Sequence, residues 1–218
     1  MIQEHTDENS LTEILKNAVE FSQNIIWPYT DNHLSLATSK EELVEIFKLR
    51  SAVYDKMGYK KEFPDLLEGF NFDMYDSHAA IFYVQQHGKI TGTCRIIFDQ
   101  DRHLPIDTNY SLDDFRQKEK RIAELSRFII DSNVAGLSPE FKLLIKGMYG
   151  IIIYNSIDMA VSVIAQKHFK FYEKVGGFKH EALLKTYGKL PNPYIITSWD
   201  TAHISSFFKK AFLREKVA

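Results

Sequence analysis

Apolar residues recur at helical spacing in two segments near the start of the chain. The first segment covers residues 11–27 and is ended by Pro28. The second begins at Ser39, where Ser39-Lys40-Glu41-Glu42 fits a capping box, and continues to about Met57. The pattern predicts two leading helices, the first of them in an N-terminal extension over residues 1–38.

Shorter apolar runs in the middle of the chain predict strands. Residues 79–86 and 90–98 are joined by His87-Gly88-Lys89, which predicts a β-hairpin, and a third strand covers residues 121–130. A dense apolar segment from Pro139 to about Ile157 predicts a long helix that is buried on several sides.

The last third of the chain alternates between the two patterns. We predict a strand at 160–165, a helix at 168–175, strands near 180–187 and 193–199, and an amphipathic helix near 202–215 within the C-terminal segment 200–218. The order α-α-β-β-β-α-β-α-β-β-α predicts an α/β (α+β) fold, in which a mixed sheet carries helices on both faces. The long helix connects residues 121–130 to residues 160–165, so we expect a parallel strand pair there. Because no repeat or linker divides the sequence, we predict a single domain over residues 1–218.

Composition narrows the functional classes. The chain has 218 residues, of which 44% are apolar and 26% charged, as is ordinary for globular proteins. A formal net charge of −2 argues against a dedicated nucleic-acid binder, and the single cysteine, Cys94, excludes an intramolecular disulfide framework. No apolar run approaches the roughly 18 residues of a membrane span, and the N-terminus is acidic where a secretory signal is basic, so we expect a cytoplasmic protein. Metal-ligand spacing and glycine-rich phosphate loops are also absent from the sequence, which predicts neither a metal nor a tightly bound cofactor.

Arg50 is the most informative single residue. It falls in the middle of the apolar stripe of the second helix, among positions such as Phe47 and Tyr54. An unpaired buried guanidinium is very costly, so Arg50 must meet carboxylates or other strong acceptors. Two interpretations follow: a structural salt bridge, or an arginine at the floor of a polar site.

Further charged residues lie where buried positions are expected. They are Asp73 and Asp76 before the hairpin, Arg95 in its second strand, and Glu124 and Arg127 in the third strand. An Asp pair in a loop is by itself typical of turn chemistry. Strict alternation would place Glu124 and Arg127 on opposite faces of their strand, whereas a β-bulge between them would bring both onto one face. We therefore predict a bulge that also splays this strand from its parallel neighbour.

These residues, in this order, resemble the acyl-carrier-protein-dependent branch of the GNAT acyltransferase superfamily over about residues 40–197. The branch includes long-chain N-acyl amino acid synthases, acyl-homoserine-lactone synthases and exosortase-associated acyltransferases. The resemblance is carried by Arg50-x-x-x-Tyr54, Asp73-x-Tyr75-Asp76, Gly92-Thr93-Cys94-Arg95 with Leu104-Pro105-Ile106, and Glu124-Leu125-Ser126-Arg127-Phe128. It implies a GNAT-like fold, with a central twisted mixed sheet, helices on both faces and a splayed parallel strand pair.

The resemblance also implies which residues line the active site. By position they are Arg50, Tyr54, Asp73, Asp76, Arg95, Glu124 and Arg127, and we assign Ser126 of the same motif to substrate binding. The tryptophan that lactone synthases carry shortly after the first of these motifs is missing, with Tyr59 nearby. This difference argues against recognition of the lactone synthases' own substrate.

The C-terminal half resembles the amino acid synthases. Residues 168–178 look like the GNAT segment Y-x-x-x-G-F with one extra residue before the phenylalanine, and residues 187–193 resemble the strand and loop that follow it. The acyl-CoA pyrophosphate signature Q/R-x-x-G-x-G/A is absent from residues 131–139. This absence favours a donor carried on a protein, although a divergent CoA site stays open.

The resemblance implies acyl transfer from a thioester to an amine. Glu124 is the candidate base for the acceptor amine, because burial in a strand can raise a carboxyl pKa; a purely structural role beside the arginines is the alternative. A backbone N–H near Phe128 or Ile129 is the candidate oxyanion donor, and Tyr172 is the candidate acid for the departing thiolate.

The predicted function is transfer of a long-chain fatty acyl group to the α-amine of an amino acid. The donor is the 4′-phosphopantetheine thioester of acyl-carrier protein, or acyl-CoA. The carboxylate of the acceptor is expected to bind one of the three arginines Arg50, Arg95 and Arg127. The alternatives are an acyl-homoserine-lactone synthase, an ordinary acyl-CoA-dependent N-acetyltransferase and a catalytically inactive binding module.

Three further features are candidate contacts. The acidic carrier protein is expected to dock on a basic patch, unless that patch is only a solvated surface; its members are Lys142, Lys146, Lys167, Lys170 and Lys174. The apolar face of the last helix suits either packing onto the domain or a weak contact with a membrane surface. The long apolar helix, with Phe70, Phe72 and Phe82, is a candidate wall for an acyl tunnel.

Overall fold

Seven strands form one mixed sheet in the computed structural model, which describes residues 2–100, 103–118, 120–131, 137–185, 187–190 and 193–213, without the side chains of residues 2–8. The strands are β1 Leu34–Leu36, β2 Ala79–Gln86, β3 Lys89–Phe98, β4 Ile122–Ile130, β5 Met159–Ala165, β6 Phe178–Leu184 and β7 Tyr194–Trp199. Their order is β1-β2-β3-β4-β5-β7-β6. β4 and β5 are parallel, as predicted, and the other neighbours are antiparallel.

Helices cover both faces of the sheet, which confirms the predicted layers. They are α1 Ile2–Ser22, α2 Lys40–Lys56, α3 Asp113–Arg116, α4 Pro139–Tyr154, α5 Phe169–Val175 and α6 Ser206–Phe208. α1 and α2 pack with Ile81 in one apolar cluster, whereas α4 and α6 pack with Phe82 in the other. These adjacent residues of β2 face opposite sides because side chains alternate along a strand.

The capping box of α2 forms as predicted. The Ser39 hydroxyl accepts a hydrogen bond from the Glu42 N–H at 3.3 Å, and the Glu42 carboxylate accepts one from the Ser39 N–H at 3.0 Å. This exchange satisfies two of the free N–H groups at the start of the helix. The helix then continues to Lys56 and buries Arg50 on its inner face.

The predicted hairpin is also present. His87 and Gly88 have φ values of 50° and 75°, so the turn between β2 and β3 has positive φ at both central residues. Such a turn matches the right-handed twist of the two strands. The hairpin forms the centre of the half-sheet that carries Arg95.

The first helix and first strand differ from the prediction. α1 ends at Ser22 and not at residue 27. Here the Asn24 and Ile25 N–H groups donate to carbonyls three residues back, at 3.0 and 3.1 Å, which tightens the chain into turns. β1 was not predicted, because three residues are too short to show an alternating pattern.

The C-terminal elements are displaced by a few residues. α4 ends at Tyr154 instead of Ile157, and Ser156 follows with a positive φ of 56°. β6 runs over 178–184 instead of 180–187 because Gly176 and Gly177, with φ of 85° and 80°, turn the chain directly after α5.

The last predicted helix is replaced by α6 and a π-turn at Lys209–Leu213, and its residues 214–215 lie outside the described residues. Phe208 and Phe212 of this segment are buried in the cluster beside α4. The apolar face of the segment therefore packs onto the sheet. No helix of the described ranges is long and apolar enough to cross a membrane.

A β-bulge interrupts β4 at the predicted place. Arg127 and Phe128 together lie opposite the single residue Cys94, between the pairs Thr93–Ile129 and Arg95–Ser126. Arg127 has a φ of 52°, which is uncommon for a residue with a side chain. β4 and β5 are paired only from Ile122–Met159 to Leu125–Ser162, and both strands continue beyond that point. The prediction of a bulge with a splayed parallel pair is confirmed.

Candidate active site

A cavity of about 160 Å³ lies beside the bulge. It is lined by six of the residues that the sequence singles out: Tyr54, Asp73, Arg95, Glu124, Ser126 and Arg127. Glu124 and Arg127 thus reach one cavity despite their spacing of three, as the bulge requires. Five further predicted residues do not line it: Arg50, Asp76, Phe128, Ile129 and Tyr172.

Arg50 lies behind the cavity, in full burial. Its Nη1 donates to Asp76 Oδ1 at 2.8 Å, and its guanidinium lies 5.3 Å from the centre of the Phe47 ring. Asp76 is also fully buried and lies 3.1 Å from Arg95 Nη1. Arg50 therefore compensates the charge of Asp76, which in turn holds Arg95. Of the two interpretations of Arg50, the structural salt bridge is the one that describes its contacts.

Asp73 links the two arginines in the cavity wall. Its Oδ1 accepts from Arg95 Nη1 at 2.6 Å, and its Oδ2 accepts from Arg127 Nη2 at 2.8 Å. Arg95 also donates from Nε to the Ser126 hydroxyl at 3.0 Å. Burial opposes ionisation of Asp73, but the two guanidiniums outweigh it and hold the pKa of this carboxyl well below its usual range.

The aspartates also shape the backbone that carries them. Asp73 accepts a hydrogen bond from the Tyr75 N–H at 2.9 Å, and Asp76 accepts one from the Asp73 N–H at 2.8 Å. Together they cap the short 3₁₀ turn Met74–His78. The Asp pair therefore has the turn role that its spacing indicates and the ion-pair role as well.

Arg127 faces the cavity from the bulge. Its Nη1 donates to the Tyr54 hydroxyl at 3.2 Å, and its guanidinium lies 4.7 Å from the centre of the Phe63 ring. The Tyr54 and Phe63 rings are stacked with centroids 4.9 Å apart. These aromatic contacts hold the guanidinium while its side chain keeps 12% of its surface exposed.

Glu124 is a nearly buried carboxyl group, 3% exposed, in the same cavity. Its Oε2 accepts a hydrogen bond from the Ile106 N–H at 2.8 Å. Burial raises the pKa of Glu124 to about 7, although the Ile106 N–H and the charge of Arg95 act in the opposite direction. Such a group changes its protonation state near neutral pH, which is the property required of a general base.

Several cavity residues were missed at the sequence level. Phe63, Pro105, Val163 and Tyr187 all line the cavity, and Tyr75 does so from the turn before β2. Phe63 begins the aromatic, acidic loop before the hairpin, and Tyr187 begins the segment after β6 that resembles the amino acid synthases. The segments around Phe63 and Tyr187 could therefore have drawn attention to these residues. No sequence pattern indicated that their rings meet, with centroids 6.4 Å apart.

Tyr172 lies on the other side of the sheet. Its ring packs on Phe178, with centroids 5.0 Å apart, and Val175 of the same helix belongs to the cluster beside α4. Burial, followed by the nearby Cys94 thiol, raises the pKa of Tyr172 to about 12. The phenol is thus protonated at neutral pH and lies close to the residue opposite the bulge.

The predicted acyl tunnel does not form as proposed. Phe82 is buried in the cluster beside α4, whereas Phe72 and Phe70 belong to the cluster beside α2. Because the sheet separates them, these three rings cannot wall one tunnel. Along the described ranges, no group of three or more His, Cys, Asp or Glu side chains is arranged to hold a metal ion.

Comparison with solved structures shows the same architecture in acyltransferases. FeeM, an N-acyl amino acid synthase from uncultured soil microbes, has a TM-score of 0.62 at 24% identity, covering 83% of this chain and 94% of that chain. The AHL synthase LasI has a TM-score of 0.59 at 19% identity, covering 85% and 100%. A putative N-acetyltransferase from Lactobacillus plantarum has a TM-score of 0.52 at 15% identity, covering 77% and 97%. Comparison with curated protein sequences gives no match.

The fold is GNAT-like, and a match to a family model makes the chain an acyltransferase. Residues 45–200 match the family model described as N-acyl amino acid synthase FeeM. The chain belongs to this family.

Proposed function

We propose that this acyltransferase moves a long-chain fatty acyl group from acyl-carrier protein to the α-amine of an amino acid. The observation that carries the proposal is Glu124, a carboxyl group with a pKa near neutrality, placed where β4 and β5 separate. The guanidinium of Arg127 stands in the same cavity wall and suits an anionic acceptor. Membership of the FeeM family supports an N-acyl amino acid as the product.

The acceptor amine must lose a proton before it attacks, because an α-amine is mostly protonated at neutral pH. Ionised Glu124 takes this proton, directly or through a water molecule. The amine nitrogen then bonds to the thioester carbon, and a backbone N–H at the bulge, around Phe128 or Ile129, stabilises the oxyanion. When the carbon–sulfur bond breaks, Tyr172 donates its proton to the departing thiolate. The nitrogen loses its second proton to water, from which the Tyr172 phenolate is protonated again.

Arg127 is the arginine best placed for the acceptor carboxylate. Arg50 has no exposed surface and is committed to Asp76, and Arg95 retains only 3% exposure between two aspartates. Arg127 uses one N–H on Tyr54 and one on Asp73, and its remaining N–H groups are available for a further carboxylate.

The donor is proposed to enter on the opposite side of the sheet, through the gap between β4 and β5. Rings of Phe128, Phe141 and Phe171 surround that side, with successive centroids 5.3 and 5.4 Å apart. Four of the five predicted docking lysines are exposed near it: Lys142, Lys167, Lys170 and Lys174. Lys146 is instead half-buried, 4.9 Å from the centre of the Tyr29 ring, and we omit it from the docking surface.

The test incubates the purified protein with long-chain acyl-carrier protein, long-chain acyl-CoA or acetyl-CoA, each with amino acids and S-adenosylmethionine. Mass spectrometry reads the products, and Glu124→Gln is the matched inactive control. We expect an N-acyl amino acid from the carrier-bound donor, and its mass names the acceptor. A lactone product, or acetylated amines from acetyl-CoA, would contradict the proposed acceptor or donor.

A further inference from the structure

A charged cluster outside the cavity holds the segment that contacts Glu124. The cluster is centred on Arg116 of α3, in the connection between β3 and β4. Its Nε and Nη2 donate to Asp99 at 2.8 and 2.9 Å, and its Nη1 and Nη2 donate to Asp107 at 2.8 and 2.7 Å. One guanidinium therefore binds two carboxylates, each through two hydrogen bonds, which is a geometrically specific arrangement.

Asp107 connects this cluster to the candidate base. It lies in the 3₁₀ turn Pro105–Thr108, where its carboxylate also accepts from the Leu104 N–H at 2.9 Å. The residue before it, Ile106, donates its N–H to Glu124 Oε2 at 2.8 Å. The position of that N–H is thus determined by the same turn that Arg116 holds.

We propose that Arg116 is a positioning residue for acyl transfer, which holds the Pro105–Thr108 turn so that the Ile106 N–H stays on Glu124. The proposal rests on the proposed role of Glu124 as the base. Without Arg116, the turn loses its anchor to Asp99, and the negative charge of Asp107 loses its main counter-ion. Both changes make the anionic form of Glu124 less favourable, because the first weakens a donor and the second exposes a like charge.

Other charged and titratable groups also face Glu124, and all of them except Asp107, which Arg116 holds, stay in place when Arg116 is changed. They are Arg95 of β3, Asp73 and Tyr75 before β2, Asp107 of the turn, and Tyr187 after β6. Leu104, Ile106 and Leu112 keep the connection packed, since they are 1%, 1% and 0% exposed. Variants of Arg116 should therefore fold. A change in the pKa of Glu124 would then reflect the altered position of the Pro105–Thr108 turn and the altered charge balance around Asp107.

The experiment measures the pKa of Glu124 directly. The protein is labelled with ¹³C at glutamate carboxyl groups, and the Glu124 signal is assigned by its loss in Glu124→Gln. In Arg116→Gln we expect the pKa of Glu124 to rise by about half a unit to one unit. The matched control is Arg121→Gln, which removes an arginine that is 63% exposed and 4.0 Å from Asp158; it should leave the pKa unchanged.

Kinetics supply the second readout. The acid limb of the kcat/KM profile of Arg116→Gln should move to higher pH by the same amount, while activity near pH 9 recovers. The acceptor amine titrates alike in all variants and cannot cause the difference. Asp99→Asn, which weakens the hold on Arg116 without contacting Glu124, should shift both readouts in the same direction by less.

An unchanged Glu124 titration in both Arg116→Gln and Asp99→Asn would overturn the inference, as would a loss of activity by one factor at every pH. If Arg116→Gln fails to fold, the Glu124 titration and the kcat/KM profile of Asp99→Asn alone test the inference. The titration needs no turnover, so a shifted pKa in a protein that makes no N-acyl amino acid would contradict the proposed function and leave the positioning role standing.

Discussion

At the scale of a single residue, the pKa of Glu124 is determined by effects that oppose one another. Its burial disfavours the carboxylate, whereas the Ile106 N–H and Arg95 favour it. A group in this balance is a better base than a fully paired carboxylate, because it holds a proton more strongly when it accepts one. Asp73, which lines the same cavity, remains ionised through its two guanidiniums. Two carboxyl groups in one cavity thus serve different purposes.

The first prediction concerns the pH dependence of activity. The proposed base, Glu124, would act in its ionised form, so kcat/KM should rise with pH through about 7, the pKa of this carboxyl. Replacing Glu124 by Gln should lower kcat by roughly 10²- to 10⁴-fold. The residual profile should lack the inflection near neutrality and follow the acceptor amine alone. An inflection that persists in Glu124→Gln would assign it to another group.

The second prediction concerns stability, measured by urea unfolding at pH 5 and pH 8. The folded pKa of Glu124 is raised above its unfolded value, so the folded state binds the extra proton, and the contribution of this carboxyl to stability is lost as pH rises from about 4.5 to about 7. Glu124→Gln lacks this loss. The free energy of unfolding of Glu124→Gln, relative to that of the wild type, should therefore increase between pH 5 and pH 8 by about 1–3 kcal/mol.

Glu45→Gln is the matched control for this measurement, because Glu45 is exposed and pairs with the exposed Lys48. Its difference from the wild type should be nearly the same at both pH values. A pH-independent difference for Glu124→Gln as well would show that the carboxyl is not perturbed by folding.

At the scale of elements, the bulge in β4 is the central device. It lets Glu124 and Arg127 share a cavity, and it ends the pairing of β4 with β5. A regular strand would turn one of these charged side chains toward the apolar cluster beside α4 and away from its partners in the cavity. The local strain at Arg127 is offset by the ion pair and the aromatic contacts of its guanidinium.

The turn after α5 carries the third prediction. A Cβ on Gly177 would lie 2.1 Å from the Asp200 carbonyl oxygen, and the residue has a φ of 80°. Gly58 also has a positive φ, 70°, but a Cβ there meets nothing within 4 Å. Gly58→Ala should cost about 1 kcal/mol through backbone strain alone. Gly177→Ala should cost about 3 kcal/mol or more, because the segment after β7 that carries the Asp200 carbonyl must also move.

Thermal and urea unfolding of the two variants check this prediction. Equal destabilisation of the two variants would mean that the Asp200 carbonyl moves away from the added Cβ with little loss of stability. The comparison matters for function, since Gly176 and Gly177 set the position of α5 and hence of Tyr172.

At the scale of the whole molecule, the sheet separates two chemical environments. The face with α2 carries Glu124 and the cavity lined by the ion pairs of Asp73. The face with α4 and α5 carries Tyr172 and a set of aromatic rings. The gap between β4 and β5 joins them. In the proposed mechanism, a thioester in this gap meets Glu124 from one face and Tyr172 from the other.

The fourth prediction tests the docking of the carrier protein on the second face. The triple variant Lys167→Glu, Lys170→Glu and Lys174→Glu reverses three exposed charges. It should lower kcat/KM for acyl-carrier protein by about 10-fold or more at low salt, mainly through KM, because an acidic partner is repelled. Activity with a free acyl-pantetheine should stay unchanged.

Lys89→Glu, an exposed charge reversal at the hairpin turn, is the control for this variant. An equal loss in both variants, or an equal loss with acyl-pantetheine, would remove the lysines from the docking surface.

The features that sequence alone determined depend on short-range rules. The capping box at Ser39, the turn at His87 and Gly88, and the burial of Arg50 all follow from neighbours within a few residues. The bulge also belongs here, because Glu124 and Arg127 can share a polar face only if one extra residue is inserted between them. These rules placed most helices and strands within a few residues of where they lie.

Only the tertiary structure decided which of those residues meet. Arg50 turned out to hold Asp76 behind the cavity, and Arg127 to face it, because the depth of each guanidinium depends on the packing of α2 against the sheet. Phe63 and Tyr187 come together from loops far apart in sequence, and the Ile106 N–H reaches Glu124 from a turn that Arg116 holds. Such contacts depend on where distant segments are anchored, and local spacing carries no information about that.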